Sequence, residues 1–249
     1  MYVFTSTIHD PENRLGYLID EQCEELTGLF DSSHVAYTPT THSKTVQALA
    51  DRGFEVQEAE ASVLDCYRTA FRMTIRPGVD NIFYCDLDRA LHWVKSYPDE
   101  LKALAKSQSD SDFTIVGRTK RAFGTHPETQ TITEGLGNLL ASRALGFLDT
   151  RDVLGVTYMM TSRLVKQVLD REARNRFGFY VEWPIFLWRS SRHPRYVEAE
   201  GLEWETPDRY RAEIKEMGLE NWFRQYQTAE EWRKRTEMLK DFINSSLVS

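Results

Sequence analysis

The sequence predicts an α/β fold: three α/β/α layers around a mainly parallel mixed sheet, followed by a helical C-terminal tail. Three observations carry that prediction. Short β-branched and aromatic runs alternate with amphipathic helical patterns through the first half of the chain, which favours right-handed βαβ units. The run Asn81-Ile82-Phe83-Tyr84-Cys85 is almost wholly apolar and lies between carboxylates, as a central parallel strand covered on both faces requires. The last segment sets Trp204, Trp222, Trp232 and Phe242 among many charges, the composition of helices packed on a body.

Taken in order, Tyr2 to Ile8 reads as a strand ended by Asp10-Pro11, and Leu15, Leu18, Ile19, Cys23, Leu26 and Leu29 then follow helical spacing. Val35 to Tyr37 is a short strand closed by Pro39. Ser43 to Asp51 is helical and stops at Gly53, a residue suited to a helix end. Phe54 to Ala59 alternates as a strand does, and Val63, Cys66, Tyr67, Ala70 and Phe71 share one helical face until Pro77-Gly78. Beyond the apolar run at 81–85, a strand is expected at Phe113–Gly117, a helix from Glu128 to Arg143, a strand from Val153 to Met159 and a helix from Ser162 to Arg171.

With 249 residues, 41% of them hydrophobic and 12% aromatic, the chain can bury a sizeable core as one domain. No uncharged apolar run approaches the roughly 18 residues that a membrane span needs. The start, Met1-Tyr2-Val3-Phe4-Thr5, lacks the basic and apolar segments of a secretory signal, so a cytoplasmic protein is expected. Cys23, Cys66 and Cys85 are odd in number and widely spaced, which fits buried reduced thiols. A net charge of -7 repels nucleic acid, and an acidic protein that handles an anion needs a metal or a local basic pocket.

The sharpest local feature is Asp86-Leu87-Asp88, directly after the apolar strand. In parallel sheets ligands bind beyond the carboxyl ends of the strands, where Thr5-Ser6-Thr7, Tyr37-Thr38, Glu58 and this pair of carboxylates should gather. Two carboxylates one residue apart at such a turn can share a divalent cation, and Mg²⁺ or Mn²⁺ held this way keeps positions for water and substrate phosphates.

Asp86-Leu87-Asp88, then Trp93 and Tyr97-Pro98-Asp99-Glu100-Leu101, resembles the D-x-D stretch and the P-x-x-L helix after it in GT-A (Rossmann-like) glycosyltransferases, especially family-2 and dolichyl-phosphate-mannose-synthase-like enzymes. Looser similarities are Asp152-Val153-Leu154-Gly155 with Ser162-Arg163, and the acidic segment Val181-Glu182-Trp183-Pro184-Ile185-Phe186-Leu187. The resemblance covers about residues 1 to 200. It implies a single GT-A-like domain over 1–249, with a nucleotide-binding half at 1–117, an acceptor-side half at 118–200 and a helical extension at 201–249.

The implied activity is metal-dependent transfer of a sugar from a nucleotide-diphospho-sugar donor to a soluble small-molecule or glycan acceptor, with Mn²⁺ or Mg²⁺ as cofactor. The resemblance implies that Asp86 and Asp88 hold the metal, that Thr5, Ser6, Thr7 and Arg68 line the nucleotide pocket, and that Glu182 is the general base. Arg118, delivered by a strand to the active edge, and Asp152 are candidates for phosphate or acceptor binding. Of the six histidines only His9 is expected beside the pocket. No Q-x-x-R-W occurs, which argues against a processive synthase.

A non-catalytic GT-A-like domain that binds a nucleotide or sugar phosphate is the alternative from another class. A nucleotidyltransferase is less favoured, because Thr5 to Arg14 has no glycine for a triphosphate loop. The Trp-rich tail is open to three roles: lid, acceptor platform or contact in a homo-oligomer.

Overall fold

A computed structural model describes residues 1–60, 62–107, 111–172 and 176–246. The chain runs β1 (Tyr2–Ile8), α1 (Gly16–Thr27), β2 (Ser32–Tyr37), α2 (Ser43–Asp51), β3 (Glu55–Glu58), α3 (Val63–Met73), β4 (Asn81–Tyr84), α4 (Leu87–Ser96), α5 (Pro98–Lys106), β5 (Phe113–Arg118), α6 (Lys120–Gly124) and α7 (Glu128–Ala144). It continues through β6 (Tyr158–Thr161), α8 (Ser162–Leu169), α9 (Phe179–Ser190), β7 (Pro194–Ala199), α10 (Thr206–Arg209), α11 (Arg211–Met217), α12 (Leu219–Phe223), a 3-10 turn at Arg224–Gln227 and α13 (Ala229–Ser246).

The strands form one seven-stranded sheet in the order β3-β2-β1-β4-β6-β5-β7. Only β6 runs against its neighbours; β1 pairs in parallel with β2 and β4, and β5 with β7. Period-two alternation divides the core between the two faces. Tyr2, Phe4, Phe83 and Cys85 meet Leu18, Leu91 and Trp93 of α1 and α4, whereas Val3, Ile82 and Tyr84 meet Phe71, Val165 and Trp183 of α3, α8 and α9. The expected three-layer α/β architecture with a mainly parallel mixed sheet is what the chain forms.

One expectation changes in detail, and two elements stand where none was expected. The strand expected over Val153–Met159 begins only at Tyr158, because the Val153 and Leu154 amides donate to the Asn138 side-chain oxygen (2.8 and 2.9 Å) rather than to a neighbouring strand. The segment Val181–Leu187 is the body of α9, apolar around most of its circumference and therefore without the one-sided pattern that announces a helix. β7 is a further strand the sequence did not announce: an edge strand, opened by a proline and carrying exposed Arg195 and Glu198, features that keep an edge from pairing further.

The tail leaves the sheet at a pinned point. Glu100 of α5 accepts the Trp93 indole N–H and the Glu200 and Gly201 amides, at 2.8, 2.9 and 2.8 Å. A Cβ on Gly201 would lie 1.9 Å from the Trp93 ring, so only glycine lets the chain pass there. From that anchor the tail crosses the carboxyl edge of the sheet, and α13 lies along α7 and α9.

Candidate functional site

The site is built on Asp86, which with Cys85 links β4 to α4 and stands directly before that helix. Its Oδ1 accepts hydrogen bonds from the Tyr84, Tyr67 and Thr7 hydroxyls at 2.7, 3.0 and 3.1 Å. The two phenols come from β4 and α3, and Thr7 from β1, so three elements aim one carboxylate. Burial pushes the Asp86 carboxyl above its ordinary range, with Arg89 opposing and Asp88 adding to the shift. Burial, together with the Asp86 charge, raises Tyr67 and Tyr84 well above theirs, so both remain protonated donors.

Asp88, in the first turn of α4, accepts the Arg89 amide at 2.9 Å and lies 3.3 Å from the Arg209 guanidinium. Arg209 also donates to the His9 carbonyl. A residue of the tail thus reaches across the sheet edge to the second carboxylate of the D-x-D.

Two clefts open from these residues. The first, about 190 Å³, is lined by Thr7, His9, Thr38, Tyr67, Asp86, Asp88, Tyr180 and Arg209 among others. The second, also about 190 Å³, is walled by Arg89, Gln130, Glu134, Trp204, Glu205 and Arg235, with Leu154, Phe242 and further side chains. Asp86 and Tyr180 line both, so the two are lobes of one site. His9, expected near the pocket, lines the first lobe with its Nδ1 2.8 Å from the Thr38 hydroxyl.

Other candidates stand elsewhere. Thr5 and Ser6 are fully buried: Thr5 lies under α3 and donates to the Ala70 carbonyl at 2.8 Å, and Ser6, by the alternation of the strand, faces the other side of the sheet, so of the triplet only Thr7, nearest the carboxyl end, lines the cleft. Arg68 donates to the Arg171 carbonyl and lines neither lobe. Glu182 lines neither lobe: it is a buried residue of α9 that accepts a hydrogen bond from Ser245 of α13 at 2.9 Å.

Arg118 and Asp152 satisfy each other, through Nε–Oδ2 and Nη2–Oδ1 contacts of 2.6 and 2.9 Å. Asn138 donates to the same carboxylate at 2.7 Å, and Arg118 also meets Glu134 at 2.7 Å. Both are buried, so this pair presents no free cation to a phosphate.

Sequence reasoning missed the tail's contribution: Arg209 in the first lobe and Trp204, Glu205, Arg235 and Phe242 in the second. The richness in Trp and charge was the only signal. Which sheet-edge groups those residues would meet is a matter of three-dimensional placement across more than a hundred residues of chain.

Glu205 is the least satisfied group of the second lobe. Its Oε2 is buried with no hydrogen-bond partner, and Arg89 Nε, 3.8 Å away, is also without one. Burial raises the Glu205 carboxyl above its ordinary range against the pull of Arg89. Among the described residues no helix is long and apolar enough to cross a membrane.

No protein-family model and no curated protein sequence matches the chain. Solved structures do. Glucosyl-3-phosphoglycerate synthase from Mycobacterium tuberculosis, in complex with Mn²⁺, uridine diphosphate and phosphoglyceric acid, superposes with a TM-score of 0.52 at 15% identity, over 80% of this chain and 68% of that one. The same synthase with Mn²⁺, uridine diphosphate and glucosyl-3-phosphoglycerate gives a TM-score of 0.53 at 13% identity, over 80% and 70%. With Mn²⁺, uridine-diphosphate-glucose and glycerol 3-phosphate it gives 0.52 at 13% identity, again over 80% and 70%. The chain has the GT-A fold of these nucleotide-diphospho-sugar glycosyltransferases.

Proposed function

We propose that this chain is a metal-dependent glycosyltransferase that moves a sugar from a nucleotide-diphospho-sugar donor in the first lobe to an acceptor in the second. The observation that carries the reading is the shared wall. Asp86 borders both lobes, so a donor diphosphate held at the carboxylates would present its sugar to whatever fills the adjoining space. Residues 1–117 supply the donor side, 118–200 part of the acceptor side, and 201–249 walls for both.

Asp86 and Asp88 suit Mn²⁺ or Mg²⁺. They are half-buried oxygen donors on one cleft, and among the described residues Asp86 Oδ2 accepts only from the Tyr67 hydroxyl at 3.3 Å, which leaves it coordination capacity. Among the described residues no cluster of three or more His, Cys, Asp or Glu side chains stands ready to hold a metal. Two carboxylates are the donor set of a cation that keeps water and takes phosphate oxygens. When bound, the cation would neutralise charge developing on the leaving diphosphate.

The chain's own groups do the rest. Tyr67, Tyr84 and Thr7 fix the plane of the Asp86 carboxylate by donating to it. Arg209, bound to Asp88 by a single 3.3 Å contact, can turn from it to a phosphate oxygen of the donor without leaving the cleft wall. The likeness to the Mn²⁺- and uridine-diphosphate-bound synthase supports this reading at the level of the fold.

Mn²⁺ with UDP or GDP should raise the melting temperature, and a UDP- or GDP-sugar should release its nucleoside diphosphate. Asp88→Ala should abolish the release. If no nucleoside diphosphate shifts melting in the presence of Mn²⁺, the reading is wrong.

A further inference from the structure

The second lobe is rich in charge yet, among the described residues, offers no free cation. Arg89 donates to the Gly155 carbonyl and faces Glu205, while Arg235 donates to the Gln130 side-chain oxygen at 3.0 Å and lies 3.5 Å from Glu134. Against these two guanidiniums stand three carboxylates, Asp86, Glu134 and Glu205. A phosphorylated acceptor would have to break existing ion pairs and bring a further anion among those carboxylates. Charge therefore disfavours it.

One atom of the lobe positively asks for a donor. Glu205 is 9% exposed, and its Oε2 accepts no hydrogen bond from any described residue. An ionised carboxylate can only accept, and leaving a buried one unsatisfied is costly. A hydroxyl supplies the missing proton donor, whereas an ionised phosphate cannot. Trp204, Tyr180 and Phe242 line the same lobe, so aromatic surface on which a sugar ring or polyol chain can lie stands beside polar groups that its hydroxyls can meet. Trp204 itself is held by Trp222 and Tyr226, with ring centroids at 5.4 and 5.0 Å, so that wall is rigid.

We infer that the second lobe takes an uncharged, hydroxyl-bearing acceptor, a neutral saccharide or polyol, and that Glu205 receives the hydrogen bond and then the proton of the reacting hydroxyl. The inference rests on the glycosyltransferase reading above. In the step, the acceptor oxygen forms a bond to the anomeric carbon of the donor sugar. The bond from that carbon to the diphosphate oxygen breaks, its electron pair leaving on the nucleoside diphosphate, and the hydroxyl proton passes to the Glu205 carboxylate. Glu205 thus takes the part for which the sequence had put forward Glu182.

The test uses the full chain, Mn²⁺ and the sugar nucleotide that releases its diphosphate fastest. Glucose, maltose, trehalose and sorbitol are compared with phosphoglyceric acid and glycerol 3-phosphate as acceptors. At least one neutral compound should raise release about tenfold or more over the acceptor-free rate, and the phosphorylated ones should not. Glu205→Gln, which keeps the shape and removes the base, should lower the stimulated rate by about 10²-fold or more. Its Mn²⁺- and nucleotide-induced melting shift should equal that of the wild type, which also shows that it folds.

Stimulation by the phosphorylated compounds alone, by none of the panel, or a Glu205→Gln rate within about threefold of wild type overturns the inference and leaves the glycosyltransferase reading standing. Absence of any melting shift with Mn²⁺ and nucleoside diphosphates removes that reading, and this inference with it.

Discussion

Arg118 with Asp152 and Arg209 with Asp88 are the same ion pair by composition, one at the carboxyl end of β5 and one across the cleft after β4. The first is doubly bonded at 2.6 and 2.9 Å, with side chains 1% and 7% exposed, and Asn138 and the Arg118 amide complete the shell of Asp152. The second is a single 3.3 Å contact between side chains that are each 21% exposed. A pair whose every oxygen is satisfied has nothing left for a ligand. The loose pair is the one a cation and a phosphate can divide between them. Residue type alone had made Arg118 and Asp152 look like binding residues; their surroundings make them a brace that holds β5 to the 152–154 loop.

The largest effect should fall on the brace. Asp152→Ala strands a buried guanidinium, and removing one partner of a buried pair costs about 3–5 kcal/mol, to be read as a fall in the urea midpoint. Asp88→Ala, at the loose pair, should change that midpoint little while abolishing nucleoside diphosphate release. If the two substitutions destabilise equally, the contrast between brace and site is lost.

An intermediate effect is expected for Arg209→Ala. Partly exposed pairs held by a single contact contribute about 0–1 kcal/mol, so folding should hardly notice. Asp88 would be freed for metal, and half-saturation by Mn²⁺ should fall, while the KM for the sugar nucleotide rises. Unchanged metal and donor dependence would take Arg209 out of the site.

The smallest effect concerns how the tail is fastened. His92 of α4 meets Asp208 at 2.6 Å and Glu203 at 3.3 Å, with Lys95 on the other oxygen of Asp208. Burial alone would lower the His92 pKa, but the Asp208 and Glu203 carboxylates and nearby Glu205 raise it overall. Its contribution is therefore complete below the unfolded value of about 6.5 and lost as pH rises through the elevated folded value. Asp208 and Glu203 shift the opposite way: burial opposes the change, but contacts with His92 and Lys95, and with Arg121 and His92, prevail. Their contribution is lost on acidification. The stability advantage of wild type over His92→Gln should shrink as pH rises above about 6.5, measured as urea midpoints along a pH series. A constant advantage would count against a protonated His92.

The sequence made the four parallel strands β1 to β4 and the D-x-D after them legible, because alternation, helical spacing and Pro-Gly breaks act over a few residues. It left β7 and α9 obscure: a short edge strand studded with charge and a helix buried on most sides both lack a one-sided pattern. Asp86 and Asp88 could be read from their place after a buried strand. Glu205 and Arg209 could not, since nothing in the text of 201–210 says that the segment is drawn across the sheet edge by Glu100 and His92. Glu182 shows the converse risk, a carboxylate at a familiar spacing that the fold turns against α13.

The way the tail closes the site also sets when it exists during synthesis. All seven strands are complete by Ala199, and a chain of that length already contains both carboxylates of the D-x-D. It has no finished cleft. Arg209 and Glu205 arrive a few residues later, and Phe242 only after some forty more, packing back on residues made far earlier. A nascent chain that ends near Ala199 therefore holds the strands without the tail's walls, and cleft surface that the tail covers is open in that interval. The walls of the cleft are thus later to arrive than its carboxylates.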